Sequence, residues 1–262
     1  MSDDIVLTEI SDGRALVTLN RPNVHNAFDD VLMARLIAEL QALENDPSVR
    51  AIVLAAAGKS FSAGADLNWM QRMAGYSEEE NLADAQGLAD LMKTMNGLSK
   101  PIIARIQGAA FGGGVGLIAC CDIAVAAETA KFTISEVKLG LIPAVISPYV
   151  VAAIGERQAR RYVLTAERFD AKEAYRIGLV HSVVAAEDLD AAVDELVGAI
   201  CANGPEAVAE AKKMIADVAR RPYDDGLIAD TAARIARIRV SPEGREGLSA
   251  FLQKRKPGWD QT

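Results

Sequence analysis

The sequence predicts an α/β protein built on a mostly parallel sheet, and three observations carry that prediction. Strand-like and helix-like segments alternate through the first part of the chain. The runs AIVLAAA and PIIARIQ are apolar throughout, as strands covered on both faces must be. Beyond Pro205 the strand signal stops and only helical periodicity remains.

The elements follow in order. Residues 5–10 and 15–20 read as strands around the Asp12-Gly13 turn, which makes a hairpin. After the loop RPNVHNAF, the segment DDVLMARLIAELQALEND places Leu32, Leu36, Leu40 and Leu43 on one helical face. AIVLAAA from Ala51 is the next strand and GKSFSAGADLN the next loop. Ser77 caps a helix running to about Asn96. PIIARIQ from Pro101 is a buried strand, AAFGGGVGL opens another helix, and DIAVAA is a further strand. The tail PEAVAEAKKMIADVAR, YDDGLIADTAARIARI and SPEGREGLSAFLQKR is helical in period. Its Leu227, Ile228, Ile235, Ile238, Leu248, Phe251 and Leu252 are too many apolar positions for a solvated appendage, so they are expected to dock on this subunit or on a neighbour. The division that follows is a core over residues 1–204 and a helical region over residues 205–262.

With 262 residues, 50% hydrophobic and 24% charged, the chain can fill a large core. A net charge of -8 argues against broad affinity for nucleic acid or an anionic membrane surface. No apolar run is long enough to span a bilayer, and the amino terminus MSDDIVLTEI lacks the basic and apolar regions of a leader. Cys120, Cys121 and Cys201 show neither CxxC nor zinc spacing and fit a reducing compartment, so the expected location is the cytoplasm. Two distant histidines without HExxH leave no support for a metal site.

Two loops stand out, SFSAGADLN and AAFGGGVGL, each following a strand and each leading into a helix. Glycine costs a helix interior roughly 0.5–1 kcal/mol relative to alanine, so the glycines at 112, 113, 114 and 116 have something to accommodate. Free amides at the starts of two helices can point at one oxygen, which is the definition of an oxyanion hole. The alternative is that the glycines serve only tight turns and close packing. Neither GxGxxG at the first strand-to-helix turn nor GxxxxGK[ST] is present to favour a nucleotide phosphate.

The segments LNRPNVHNAF, GKSFSAGADL, PIIARIQGAAFGGGVGLIACCDIAVAAETAKF, SEVKLGLIP, RRYVLTAERFDAKEAYRIGLV and FLQKRKP, in this order, resemble the enoyl-CoA hydratase/isomerase (crotonase) family along nearly the whole chain. The resemblance implies a crotonase-like spiral of ββα units and a helical carboxyl-terminal region used in trimers or dimers of trimers. It implies an acyl-CoA thioester as substrate, with coenzyme A part of that substrate and no prosthetic group, and chemistry through an enolate. Residue by residue, it places the oxyanion amides on Ala65 and Gly113. It also has Ala63, Asp66 and Leu67 line the CoA moiety through main-chain contacts. Hydratases of the family carry two glutamates; the second is Glu136, whereas Gly116 stands at the first position.

One carboxylate suffices for hydration if Glu136 takes a proton from water and returns one to the α-carbon, and it suffices equally for a double-bond shift. A non-catalytic acyl-CoA-binding protein is the reading from another class. Either catalytic role needs Glu136 in an apolar setting that raises its pKa. Gly116 is expected to open volume beside the reacting carbons and to suit a bulkier or branched acyl group. Together with LIPAVISPYV and YVLTAERFDA, it resembles the methylglutaconyl-CoA hydratase branch of leucine and acyclic-terpenoid breakdown. A second substrate carboxylate would need a cationic or hydroxyl partner, for which Ser147, Tyr149 and Lys138 are candidates. Trp69 is either a wall of the acyl pocket or core. Lys254, Arg255 and Lys256 either meet CoA phosphates or form a solvated tail. His25 and His181 read as structural, and no GxSxG elbow supports a serine nucleophile.

Overall fold

The computed structural model describes residues 4–260; residues 1–3 and 261–262, the ends of the two expected regions, lie outside it. Strands β1 (Val6–Ser11) and β2 (Arg14–Leu19) form the expected antiparallel hairpin. Asp12 and Gly13 both take positive φ, 49° and 78°, the backbone that matches a tight turn to the twist of its strands. Helix α1 (Asp30–Glu44) starts at Asp29, whose carboxylate accepts the Leu32 N–H at 2.9 Å, and it buries the four predicted leucines. Then come β3 (Ala51–Ala56), β4 (Ser60–Ser62), α2 (Leu67–Met73) and α3 (Glu78–Gly97). Ser77 and Glu80 cap the last of these reciprocally.

The chain continues through β5 (Ile102–Ile106), β6 (Ala109–Phe111), α4 (Gly113–Cys120), β7 (Ile123–Ala127) and β8 (Lys131–Thr133). After α5 (Ser147–Thr165), β9 (Phe169–Asp170) and α6 (Ala171–Arg176), the core ends with β10 (Ser182–Val184) and α7 (Leu189–Cys201). A six-stranded sheet has the order β1-β2-β3-β5-β7-β10, parallel after the first hairpin. The period of two along a strand sorts its residues: Ile52, Leu54 and Ala104 face Leu32, Leu36 and Met92, while Val53, Ile103 and Val125 face Leu189, Val193 and Val197 of α7.

A second sheet, with the order β4-β6-β8-β9, was not expected from the sequence. Three of its strands have three residues each, too short for an alternation to register. The chain enters it three times from the large sheet, from β3 into β4, from β5 into β6 and from β7 into β8, and the crossings are tight. A methyl on Gly108 would overlap the Lys59 carbonyl oxygen, so only glycine lets β6 begin beside β4.

Helices α8 (Pro205–Val218), α9 (Asp225–Val240) and α10 (Pro242–Leu252) complete the chain. Lys212 ties α8 to the core, donating to Asp122 at 2.7 Å and to the Lys100 carbonyl at 3.2 Å. The Glu243 carboxylate of α10 accepts the N–H groups of Glu206 and Ala207 at the start of α8, where an anion complements the helix dipole. Of the seven apolar positions singled out in this tail, only Leu227 is buried in the subunit, and Phe251 and Leu252 remain 80% and 78% exposed.

Two glycine substitutions should move stability in opposite directions under denaturant. Gly108→Ala should lose roughly 1–3 kcal/mol through the clash with Lys59. Gly198→Ala, inside α7 with nothing within 4 Å of the added methyl, should gain roughly 0.5–1 kcal/mol.

Candidate active site

The small sheet positions the candidate residues. Strands β4, β6 and β8 run parallel and in adjacent register, Ser62 beside Ala110 and Phe111 beside Thr133. Neighbouring strands lie about 4.8 Å apart, so the three segments that leave their carboxyl ends emerge side by side. Those segments carry Ala65, Gly113 and Glu136, which lie far apart in sequence.

The first segment is fixed by Phe28. Its N–H donates to the Gly64 carbonyl at 2.8 Å and its carbonyl accepts the Asp66 N–H at 3.0 Å, a parallel bridge that turns the Ala65 peptide groups away from Phe28. Gly64 takes a φ of +86°, and a methyl there would sit 2.8 Å from the Phe111 carbonyl oxygen and 3.6 Å from the Gly113 nitrogen. The two loops therefore touch through bare backbone, and glycine is the residue that permits it. The Ala65 N–H has no acceptor among the described residues, and neither does that of Gly113, the first residue of α4.

The second segment is equally constrained. Gly112 has φ +51° and ψ -122°, a backbone that side chains disfavour, and its N–H donates to the Thr133 carbonyl at 2.8 Å. A methyl on Gly113 would overlap Cζ of Phe28, and a methyl on Gly114 would stand 2.8 Å from the Ser62 carbonyl oxygen. Trp69 packs behind, its ring 6.2 Å from that of Phe28 and its indole N–H donating to Asp84 at 2.8 Å. It is 4% exposed, which is the core alternative of the two considered.

Glu136 opens a 3₁₀ turn, Glu136–Leu139, two residues beyond the neighbour of β8. Its Oε1 lies 3.1 Å from the position of a methyl on Gly112, which puts the carboxyl against the glycine loop. Its Oε2 is buried without a hydrogen-bond partner. Burial pushes the carboxyl above its ordinary range, opposed in part by the nearby amides of Glu136 and Ser135. Phe132 and Ile134 beside it are fully buried. An acid that is costly to ionise, set against the glycine loop that carries the unpaired Gly113 amide, is an arrangement suited to moving a proton at a carbon next to a polarised carbonyl.

One expectation is overturned. Gly116 opens no volume, because a methyl there would overlap Cγ2 of Ile146, stand 2.8 Å from its Cβ and 3.5 Å from Sδ of Met92. Ile146, one residue before α5, fills the space that a longer side chain at position 116 would take.

The remaining candidates are placed as follows. Ala63 and Leu67 are exposed at the rim, Leu67 at 76%. Asp66 is buried, its amide is committed to Phe28, and its carboxylate caps α2 through the N–H groups of Asn68 and Trp69. Arg21 pairs with that carboxylate at 2.9 Å and with Asp29 at 3.1 Å, tying the starts of α1 and α2 together. Burial alone would raise the Asp66 carboxyl, but the two amides and Arg21 outweigh it and hold it below its usual range. His25 meets Ser60 Oγ at 3.1 Å, and Nδ1 of His181 accepts the Ala124 N–H at 3.1 Å. The Ser147 hydroxyl is bonded to the Ala144 carbonyl, Lys138 is exposed and Tyr149 is half-buried. Arg255 is paired with Glu246 at 2.6 Å. Among the described residues no group of three or more His, Cys, Asp or Glu side chains could hold a metal, and no helix is long and apolar enough to cross a membrane. Phe28 and Met92 were not singled out in the sequence, and Ile146 stood out only as part of LIPAVISPYV, since an apolar residue that presses on a glycine looks like any other core residue.

Residues 9–262 match the family model described as enoyl-CoA hydratase/isomerase. The fold superimposes on an enoyl-CoA hydratase from Shewanella pealeana with a TM-score of 0.95 and 48% identity, covering 98% of this chain and 96% of that one. A candidate enoyl-CoA hydratase/isomerase (crotonase) from Legionella pneumophila gives a TM-score of 0.94 and 51% identity over 99% and 100% of the two chains. The crotonyl-CoA hydratase of Syntrophomonas wolfei is 33% identical over 98% of each.

The buried Oε2 makes a prediction with a definite sign. A carboxyl whose folded pKa is raised contributes its full stability below the ordinary carboxyl pKa and loses it as pH rises through the folded value. Glu136→Gln should therefore melt a few degrees above the wild type at neutral pH, with the gap closing in acid, when melting curves are recorded between about pH 4 and pH 8.

Proposed function

The chain belongs to the enoyl-CoA hydratase/isomerase family, and from that premise we propose how this enoyl-CoA hydratase works: Glu136 moves the protons while the Ala65 and Gly113 amides hold the thioester oxygen. What supports the reading is that two backbone N–H groups without acceptors and one buried carboxyl oxygen without a partner stand on the three segments that leave the carboxyl ends of β4, β6 and β8.

The steps follow from charge. Polarisation of the thioester carbonyl by two amides leaves the β-carbon of the enoyl group electron-poor. Water adds there as the Glu136 carboxylate takes one of its protons, and the electron pair of the double bond moves toward the carbonyl oxygen as an enolate. The enolate collapses as the α-carbon takes the proton from Glu136, giving a 3-hydroxyacyl-CoA and restoring the carboxylate. Both donors are main-chain groups, pre-aimed and without reorganisation cost at the moment of reaction. The thioester brings its own coenzyme A, and the scheme calls on no prosthetic group. Ala63 and Leu67 at the rim, with the Asp66 main chain beneath, line the approach of the CoA moiety.

The acyl group is proposed to be branched or carboxylated, of the 3-methylglutaconyl type. That reading rests on the segments LIPAVISPYV and YVLTAERFDA rather than on room beside Gly116. For assembly, the apolar residues that α9 and α10 leave exposed support a trimer or dimer of trimers held through residues 205–262, with residues 1–204 as the acyl-CoA core. Three free cysteines fit a reducing cytoplasm.

A second reading, an enoyl-CoA isomerase, is favoured by Gly116, since a double-bond shift needs a single base that removes a proton at one carbon and delivers it at another. Incubation with crotonyl-CoA, 3-methylglutaconyl-CoA and a 3-enoyl-CoA separates the two. Formation of 3-hydroxyacyl-CoA is expected, and a migrated double bond without hydration would overturn the hydratase reading. Glu136→Gln should lower kcat by about 10²–10⁴. Gly113→Ala, which drives a methyl into Phe28, should lower it by about 10²–10³. In the wild type kcat/KM should rise with pH through the raised pKa of Glu136, because the carboxylate is the form that accepts the proton from water.

A further inference from the structure

We propose that Asn26 is a positioning residue for the reaction: its buried side chain pins the loop over residues 21–28 to β4 and thereby aims the Ala65 N–H at the thioester oxygen. The inference rests on the hydratase reading for what the Ala65 amide does, and on hydrogen bonds for what holds it.

Asn26 is fully buried. A buried amide is costly unless its donors and acceptor are paired, and here they are. Nδ2 donates to the Ala57 carbonyl at 2.7 Å and to the Ser60 carbonyl at 2.8 Å, while Oδ1 accepts the Arg21 N–H at 2.8 Å. These partners fix the orientation of the amide, since the reverse would set its oxygen against both carbonyls. One side chain thus joins the start of its own loop, the residue after β3 and the first residue of β4. His25 and Asn26 both take positive φ, 56° and 52°, a backbone that asparagine tolerates better than most residues.

From there the loop runs alongside the segment that carries the Ala65 donor. The His25 carbonyl accepts the Ala63 N–H at 2.9 Å, and the Asn26 carbonyl accepts the Ser62 hydroxyl at 2.9 Å. The Ser62 hydroxyl, also fully buried, accepts the Gly64 N–H at 3.2 Å in its turn. Phe28 then takes the Gly64 carbonyl and the Asp66 N–H, one on each side of Ala65. The peptide groups that flank the Ala65 N–H are therefore held through residues 25–28 and Ser62, and the Asn26 side chain fixes that stretch to the small sheet.

Two variants of the full chain test this. Asn26→Asp keeps the size of the side chain and its tolerance of the turn but replaces two donors by an acceptor, whereas Ser62→Ala removes one hydroxyl and leaves Asn26 in place. A displacement of about 1 Å can cost about 10²-fold in rate, so kcat should fall by about that factor in Asn26→Asp. In Ser62→Ala it should fall about three- to tenfold, as for the loss of one hydrogen bond. KM for crotonyl-CoA should change little in either. The second readout is the infrared carbonyl stretch of bound butyryl-CoA, carbon-13 labelled at the thioester carbon and lacking the double bond that would be hydrated. In the wild type it should lie below that of the free ester, and in both variants it should move back toward the free value. Variants that melt earlier but keep kcat and the lowered stretch would overturn the proposal and leave Asn26 a structural residue only. Should Asn26→Asp not fold, Ser62→Ala decides by the same two readouts. A stretch unshifted in the wild type would sink the proposal together with the two-amide reading. A stretch lowered in the wild type and relaxed in the variants, without hydration of any enoyl-CoA, would uphold the proposal for the amide and sink only the hydratase reading.

Discussion

The parallel pairing of β4, β6 and β8 is the constraint on which the rest of the site depends. Parallel neighbours point the same way, so what leaves their carboxyl ends leaves on one side of the sheet and within a few ångströms. Three segments separated by dozens of residues become one surface for that reason alone. The pairing in turn requires bare backbone at the crossings: Gly108 against Lys59, Gly64 against Phe111 and Gly114 against Ser62. Close approach is a property of the whole small sheet, and the glycine run in α4 is only its most visible part.

The electrostatics follow from that closeness. A carboxyl that lacks a partner for one oxygen is poorly solvated as an anion, and the same dry setting strengthens any hydrogen bond from a nearby amide to a developing negative charge. The site therefore combines a group reluctant to ionise with donors that want an anion. Arg21 and Asp66 show the contrasting case nearby, where a buried carboxylate is fully used by two amides and a guanidinium and its ionised form is favoured. Burial thus wins at Glu136 and the hydrogen-bonding partners win at Asp66, and the two carboxyls move in opposite directions.

Much of the large sheet was legible in the sequence because its signals are long. The leucine face of α1, the apolar strands β3, β5 and β7, the Asp12-Gly13 turn and the Ser77 cap each have a local cause that acts wherever the segment is placed. The small sheet left no such trace, since strands of three residues carry no periodicity and their pairing is decided by tertiary register. For the site, Glu136 and the glycine loops stood out by family resemblance and by the cost of glycine in a helix. Gly116 shows the limit of that reasoning: a missing side chain in a sequence says nothing of which neighbour has moved into its place. Here it is Ile146, thirty residues along the chain, and no local pattern distinguishes it from other core isoleucines.

The unpaired amides at Ala65 and Gly113 have an evolutionary consequence. Every amino acid but proline supplies the same N–H, so the codons at these positions cannot encode the loss of a donor except by that one residue. Alanine and proline codons differ at one base, whereas glycine and proline codons differ at two, which leaves the loop at Ala65 the nearer of the pair to such a lesion. Drift in side chains can reshape the cavity around the donors, and hence which molecules they serve, while the donors themselves are inherited with the backbone.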